Sequence, residues 1–427
     1  MAALDRVGSV TVVAMNVLLP HVKKNVLPAS FLDAPEFGRI SVITEHGYRQ
    51  HYGPEVDVHL VESLGDVEQV RRTTMKILQN RELHRVLAPF ELSVPVAGYL
   101  RSYFGLPGLS FEIANVFTNK YLMKRAAVAA DLPVAAFRVA YTLADVERAA
   151  AELGWPVVIK PVLGGGSLDV VVFESLDDFE RFCESPASES IRRLTIPLIV
   201  EKYMELEAEY NCNGIVQDSE VIFAATLRYP LPLLGCPAGF NASYTLPPDH
   251  PDQTEILDLH AATVRAFGLE SGVTHMEILK TKQGRLLVGE IACRPPGGGI
   301  PEGIRLHYGV DVWRAFRETS LGYAPDVRPV EHEGLLVNYL LPIKRGRIVR
   351  LSTAADLSAI PSVVKVDLQK RVGDVTRDRV GHSATAGLVY LRVRDEAEVS
   401  SRMVELAERY VLEVEEEDDD ALVASQV

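Results

Sequence analysis

Gly284-Arg-Leu-Leu-Val-Gly-Glu-Ile-Ala-Cys-Arg-Pro-Pro-Gly-Gly-Gly-Ile-Pro-Glu-Gly303, with Thr274-His-Met-Glu-Ile-Leu-Lys280 just before it, is the stretch from which the rest of the chain can be read. Met276, Ile278, Leu287, Val288 and Ile291 put Glu277 and Glu290 on two neighbouring strands joined by the turn Thr281 to Gly284. Carboxylates that close repel each other unless a cation lies between them. Arg294 and a three-glycine turn follow the second strand. Together they form a set that can hold a divalent cation and keep one positive side chain for an anion. A salt bridge from either glutamate to Lys280 or Arg294 is the competing reading. His275, two residues before Glu277 and so on the same face, reads as a supporting or core histidine, and Cys293 as a packing residue with no basic partner.

An anion site is legible upstream. Lys160 ends the apolar strand Trp155 to Pro161 and precedes Gly164-Gly165-Gly166-Ser167. A lysine there sets a point charge beside successive backbone N–H groups, and the glycines let the turn close over a phosphate. Taken alone, the same residues describe an exposed lysine before an ordinary hairpin. In Val200-Glu201-Lys202-Tyr203-Met204 the strand backbone could pair with an adenine edge, and Glu209 could accept from ribose hydroxyls. Charged residues alternating outward are the plain alternative.

The totals bound the function class. The chain has 427 residues, 47% hydrophobic and 24% charged, a composition of folded globular proteins that predicts two to four structural units. Its net charge of −14 and the absence of a basic stripe argue against a nucleic-acid partner. Glu413 and Glu415 to Asp420 read as a solvated acidic tail. Cys183, Cys212, Cys236 and Cys293 show no metal-ligand spacing and suit reduced thiols in a cytoplasm. Ser9 to Leu19 reads as a first strand rather than a signal peptide, because Asp5 precedes it and no small-residue cleavage site follows. No apolar run approaches the ~20 residues of a membrane span.

Short strands at Ser9–Met15, Arg39–Thr44, Val56–Val61 and Arg85–Pro89, with a helix over Asp66–Gln79, predict a parallel, Rossmann-like N-terminal domain without a GxGxxG turn. Helices follow in the stretch Asn119–Pro133, its end set by Asp131 and Pro133, and over Thr142–Leu153, the second with Thr142 as N-cap, Asp145 three residues on and Gly154 as C-cap. The returning strand Asp169–Phe173, strand Leu198–Met204 and a hairpin through Gln217–Glu220 come next. Tyr229–Pro248, rich in Pro and Gly, reads as a loop over a site, and Pro251–Phe267 and Val310–Leu321 as helices. Strands at Gly334–Pro342, Val363–Leu368 and Ala386–Val393 and a helix over Asp395–Leu412 complete the chain.

In this order, the motifs NKYLMK, PVVIKPVLGGGS, LIVEKYM, HMEI and GEIACRPPGGG resemble the ATP-grasp superfamily, and most of all its carboxylate–amine ligases of the L-amino-acid (dipeptide) ligase type. The resemblance spans residues 8 to 415 and implies an α/β fold, α+β in the ATP-grasp domain. It predicts a Rossmann-like domain over 1–113, a small lobe over 114–196, a large lobe over 197–324, a C-terminal α+β unit over 325–412 and the tail over 413–427. It implies that Lys120, Lys160, Gly164, Gly165, Gly166 and Ser167 hold ATP phosphates. Glu201, Lys202 and Met204 border adenine, the last two through backbone atoms, and Glu209 meets the ribose. Glu277 and Glu290 bind Mg²⁺, or Mn²⁺ in its place, while Arg294 and the Gly297 backbone stabilise an acyl phosphate and the tetrahedral intermediate. Many members carry Asn two residues after the second glutamate. Here that position is Ala292, which the amino-acid ligases tolerate and which offers no metal ligand.

The expected reaction joins a small-molecule carboxylate to an amine and releases ADP and phosphate, in the cytoplasm, with a homodimer suggested by the resemblance alone. Asn241, Tyr244 and Arg305 are candidate substrate contacts. Two other readings stay open: a purine-type or biotin-type ATP-grasp carboxylase, and an ATP-binding regulatory protein without turnover.

Overall fold

The computed structural model describes residues 15–21, 27–28, 31–54, 56–166, 168–234, 241–330, 332–376 and 384–415. The chain divides into two compact units, residues 1–114 with 317–324, and residues 115–316 with 325–427.

In the first unit four parallel strands lie in the order Asp57–Val61, Phe37–Glu45, Met15–Pro20, Arg85–Val86. Parallel neighbours need crossovers, and the helix Val67–Leu78 supplies one, with Asp66 accepting from the Gln69 N–H at its start and Val70 and Ile77 buried. The expected Rossmann-like sheet is present; its first strand is described over Met15–Pro20, and residues 9–14 of the expected strand lie outside the described residues. The strand runs on past its expected end at Met15, with Leu18 and Leu19 fully buried, because a continuous apolar run does not mark where pairing ends. The helix Ser93–Phe104, unforeseen because Pro95 interrupts its pattern, keeps that proline in its first turn, where the missing N–H costs nothing.

The second unit contains two main sheets. The smaller is antiparallel, in the order Phe137–Ala140, Leu198–Lys202, Val157–Pro161, Val171–Phe173. Its core of Val146, Ala150, Val157, Ile159, Phe173, Phe179 and Val200 is closed by the helices Leu143–Leu153 and Leu176–Glu184. Thr142 and Asp145 form the expected capping box, and Gly154 ends the first helix.

The larger sheet has eight strands: Leu286–Ala292, Gly272–Thr281, Leu206–Gln217, Glu220–Arg228, Asn241–Thr245, Leu335–Leu341, Gly387–Val393 and Val363–Leu368. Asn241–Thr245 corrects the reading of Tyr229–Pro248 as loop throughout; residues 235–240 of that stretch lie outside the described residues. Its strand character comes from pairing on both sides, with Leu227 and Arg228 and with Val337 to Leu340, which no local composition announces. Through it the strands after residue 325 join the sheet that carries Glu277 and Glu290. The final helix stops at Arg409, and Leu412–Glu415 pairs with Gly346–Leu351, so Glu413 meets Arg350 at 2.9 Å where a solvated tail was expected. Residues 416–427 lie outside the described residues.

Candidate active site

Glu277 and Glu290 are direct cross-strand partners on Gly272–Thr281 and Leu286–Ala292. The register slips just beyond them, Ile278 pairing with Val288, so that Gly289 is the extra residue of a β-bulge. A Cβ at Gly289 would lie 2.8 Å from the Glu277 carbonyl oxygen, and only glycine lets the strands close there. The hairpin turns at Gly284, in the left-handed region at φ 81°, with its N–H on the Thr281 carbonyl at 2.8 Å.

Cross-strand pairing carries this face outward. Asn211 is level with Glu277, and Asn213 with His275, which is in turn level with Ala292. Both asparagines are buried; Asn213 Nδ2 donates to Asn211 Oδ1 at 2.7 Å, and its own Oδ1 meets His275 Nδ1 at 2.8 Å. His275 Nε2 lies 3.9 Å from Glu277 Oε1. Burial, with Arg294 nearby, pushes His275 down to about 3, so it acts as a neutral, oriented support. The two glutamates diverge: burial and the facing Glu290 push Glu277 up to about 8. Burial acts on Glu290 too, but Lys120 and Lys160 outweigh it and hold that carboxyl below its usual range.

The lysines come from the opposite lobe. Asn119 caps the helix Lys120–Ala129, accepting from the Tyr121 and Leu122 N–H groups. Lys120 Nζ donates to the Gly164 carbonyl at 2.7 Å and reaches Glu290 Oε1 at 3.1 Å, tying the glycine turn to the glutamate hairpin. Gly164 and Gly166 take φ of 128° and 70°, as a turn of this kind requires; Gly165 lies between them, and Ser167 lies outside the described residues. Lys160 Nζ pairs with Glu201 Oε1 at 3.0 Å. Burial disfavours both charges, but their attraction wins, with Glu201 pushed down and Lys160 up.

Sequence reasoning missed Lys124. It is 1% exposed, donates from Nζ to the Val288 carbonyl at 2.8 Å and lies 3.9 Å from Glu201 Oε2. Its spacing of four from Lys120 on a helix was the available signal. The alternation of Asn211 and Asn213 on one strand could likewise have been noticed.

Lys202 Nζ donates to the Gly154 and Trp155 carbonyls at 2.9 Å each, so its side chain is committed away from Glu201 and Lys160. Met204 lines a cavity of about 510 Å³ with Tyr203, Leu206, Leu231 and Pro232. Glu209, level with Leu279 on the face of Glu277, accepts from the Leu233 N–H at 2.8 Å; burial raises it to about 7. Arg294 Nη1 donates to the Pro295 carbonyl at 2.9 Å, and the Gly297 Cα faces open space.

The substrate candidates separate. Pairing from Glu277 through Asn211, Leu227 and Thr245 puts Asn241 on the face of the glutamates and Tyr244 on the reverse face. There the Tyr244 hydroxyl donates to Glu396 Oε1 at 2.8 Å beside Arg228, which corrects its expected place. Arg305 grips Glu302 with two bonds of 2.7 Å.

Among the described residues no three His, Cys, Asp or Glu side chains close on one point. Two hard oxygen donors, one of them kept protonated by burial and by the facing carboxylate, nevertheless fit a Mg²⁺ ion, which takes one or two carboxylates and completes its shell with water and phosphate.

Residues 125–300 match the model of the ATP-grasp domain. An L-arginine-specific L-amino acid ligase from Bacillus subtilis is 30% identical over 380 residues, 88% of this chain and 92% of the relative. This chain belongs to the ATP-grasp ligases. Alanine–anticapsin ligase from Bacillus subtilis is 24% identical over 229 residues, covering 49% of this chain and 48% of that protein. Among solved structures, the L-amino acid ligase from Bacillus licheniformis superposes with a TM-score of 0.75 at 19% identity, over 94% of this chain and 99% of that one. N5-carboxyaminoimidazole ribonucleotide synthetase from Thermotoga maritima gives 0.68 at 16%, over 94% and 100%. Both show the shared fold. As an ATP-grasp ligase, the protein joins a carboxylate to an amine at the expense of ATP, through an acyl phosphate.

Proposed function

We propose that this ligase activates the carboxylate of one amino acid and joins it to the amino group of a second. The observation that carries the reading is the Glu277–Glu290 pair, with Lys120 bound to Glu290 and to the glycine turn at once. ATP phosphates lie along Lys120, Lys160 and the Gly164–Gly166 turn, with Ser167 next in sequence. Adenine meets the backbone of Lys202 and Met204 beside Glu201, and the ribose meets Glu209. Glu277 and Glu290 hold Mg²⁺, for which Mn²⁺ can substitute; the ion offsets charge on the transferred phosphoryl group.

Bringing the substrate carboxylate into line with the γ-phosphate lets it attack there, forming the acyl phosphate and expelling ADP. Arg294 and the Gly297 backbone receive the negative charge that builds on the carbonyl oxygen when the amine attacks and phosphate departs. Closing the glycine turn keeps water from the mixed anhydride. The selection of acid and amine falls to residues 229–248, including Asn241, and to residues 297–307, including Arg305. The L-arginine specificity in the name of the Bacillus subtilis relative makes arginine the first amino acid to try. Cytoplasmic placement and a homodimer are part of this reading; among the described residues no helix is long and apolar enough to cross a membrane.

The test is ADP release across all pairs of the common amino acids, with mass spectrometry of the products. A dipeptide whose formation is lost in Glu290→Ala and Arg294→Ala supports the reading. Near-normal amine-dependent ADP release in either variant, or bicarbonate as the required acceptor, rejects it.

A further inference from the structure

The glycine turn between Arg294 and the helix Ile300–Tyr308 is held from below by two side chains that the chemistry above does not use. Pairing from Thr245 and Ser243 to Asn338, and from Asn338 to Tyr390, puts both on the same face of the sheet as Glu277. Asn338 is 1% exposed, and its Nδ2 donates to the Gly298 carbonyl. The Tyr390 hydroxyl donates to the Gly299 carbonyl at 3.1 Å, which also takes the first helical bond, from the Gly303 N–H, at 3.0 Å.

The contacts are built into the backbone. Gly298 and Gly299 take φ of 60° and 77°, and a Cβ at Gly299 would lie 2.6 Å from the Tyr390 hydroxyl oxygen. Glycine is therefore required both for the turn and for the approach of the phenol. The Asn338 Oδ1 has no hydrogen-bond donor and lies beneath the helix, where a Cβ on Gly303 would meet it at 3.8 Å. Leaving a buried amide oxygen unpaired costs stability. Leu336, Leu340 and Leu388 surround this position, and leucine would pack there without that cost.

The orientation of the turn follows from peptide geometry. Among the described residues the only cis peptide is Trp155–Pro156, so the Gly298–Gly299 peptide is trans, and its C=O and N–H point in opposite directions. With the Gly298 carbonyl drawn down to Asn338, the Gly299 N–H is directed off the sheet.

We propose that Asn338 and Tyr390 are positioning residues for acyl transfer: by holding the Gly298 and Gly299 carbonyls against the sheet, they fix the glycine turn so that the Gly299 N–H faces the activated carbonyl. The proposal rests on the assignment of Arg294 and Gly297 to that carbonyl. Neither side chain touches the substrate. Their effect falls on the transfer step and not on nucleotide binding, which uses Lys120, the smaller sheet, Glu209 and the glutamate hairpin, the last two on strands at the opposite end of the larger sheet from Asn338 and Tyr390.

The experiment compares the parent protein with Asn338→Leu and Tyr390→Phe, using an amino-acid pair that the parent converts. Amide formed, ADP released, the KM for ATP and the melting temperature are measured for each. Both variants should lose amide-forming kcat by about 10- to 100-fold, as displacement of a positioned group does. The ATP KM should stay within about twofold, and ADP released per amide formed should rise as the less protected acyl phosphate hydrolyses. Asn338→Leu should melt no lower than the parent, which a merely structural asparagine would not allow. If Asn338→Leu does not fold, Tyr390→Phe, which loses only a hydroxyl, decides the matter. An unchanged ratio of ADP to amide in the folded variants overturns the inference, as does an ATP KM that rises in step with the fall in kcat. If the parent forms no amide with any pair, it is the ligase reading that fails, and that outcome is seen before any variant is made.

Discussion

Glu277 and Glu290 face each other across one antiparallel pair, yet the first carboxyl is pushed up to about 8 while the second is held below its usual range. Lys120 makes the difference, since its ammonium sits on Glu290 and not on Glu277. Without a cation the site therefore stores one proton. A carboxyl raised from 4.5 to about 8 takes up a proton on folding, so its contribution to stability is full below pH 4.5 and is lost as the pH rises through about 8. Metal-free protein should melt at a lower temperature near pH 8 than near pH 6 by this group alone, as scanning calorimetry would show. At pH 7, Mn²⁺ binding should release close to one proton, read from calorimetric titrations in buffers of different ionisation enthalpy. Binding without proton release would contradict the assignment.

Gly289→Ala should damage the site without touching a ligand. The new Cβ would press on the Glu277 carbonyl at 2.8 Å, in a bulge where backbone faces backbone. Overpacking of this kind costs about 1–3 kcal/mol. Chemical denaturation should show that loss, and Mn²⁺ titration followed by electron paramagnetic resonance should show weaker binding; parent-like affinity would mean the bulge does not set the spacing of the glutamates.

Lys124→Met should be among the more destabilising changes in this unit. It leaves Glu201 with one ammonium fewer and the Val288 carbonyl without its donor. Removing one member of a buried ionic group costs about 3 kcal/mol. Urea denaturation measures it, and the KM for ATP should rise because Glu201 loses its setting. A variant as stable as the parent would show that the lysine is not charged in place.

Tyr244→Phe is expected to leave the KM for both substrates unchanged. Its hydroxyl serves Glu396 on the reverse face of the sheet, and loss of that bond costs about 1 kcal/mol, visible as a small drop in melting temperature. A large rise in KM would return Tyr244 to the substrate site.

Local signals carried the sequence reading where chemistry and secondary structure coincide. Thr142, Asp145 and Gly154 announce both ends of one helix, and the spacing of Glu277 and Glu290 about a glycine turn announces their hairpin. The order of lysines, glycines and glutamates was enough to place the chain among the ATP-grasp ligases. What stayed hidden depends on distant partners. Asn241–Thr245 becomes a strand because strands on both sides pair with it, and Lys124 becomes a buried charge only because Glu201 and Val288 arrive from other parts of the chain. Tyr244 looked like a contact because its loop flanks the site, and a single step in a strand's alternation put it on the other side.

The match to the ATP-grasp domain ends at residue 300, whereas the sheet that bears the glutamates runs on through Leu335–Leu341, Gly387–Val393 and Val363–Leu368. Phosphoryl chemistry and the floor beneath the glycine turn are thus written in separate segments of the gene but share one continuous surface. Evolution can then alter the second without disturbing the first. Exchanging residues 335–393 with a relative would therefore change how the glycine turn is held while leaving the glutamate hairpin in place, provided that the strand edge at Asn241–Thr245, where the two segments are sewn together, is kept.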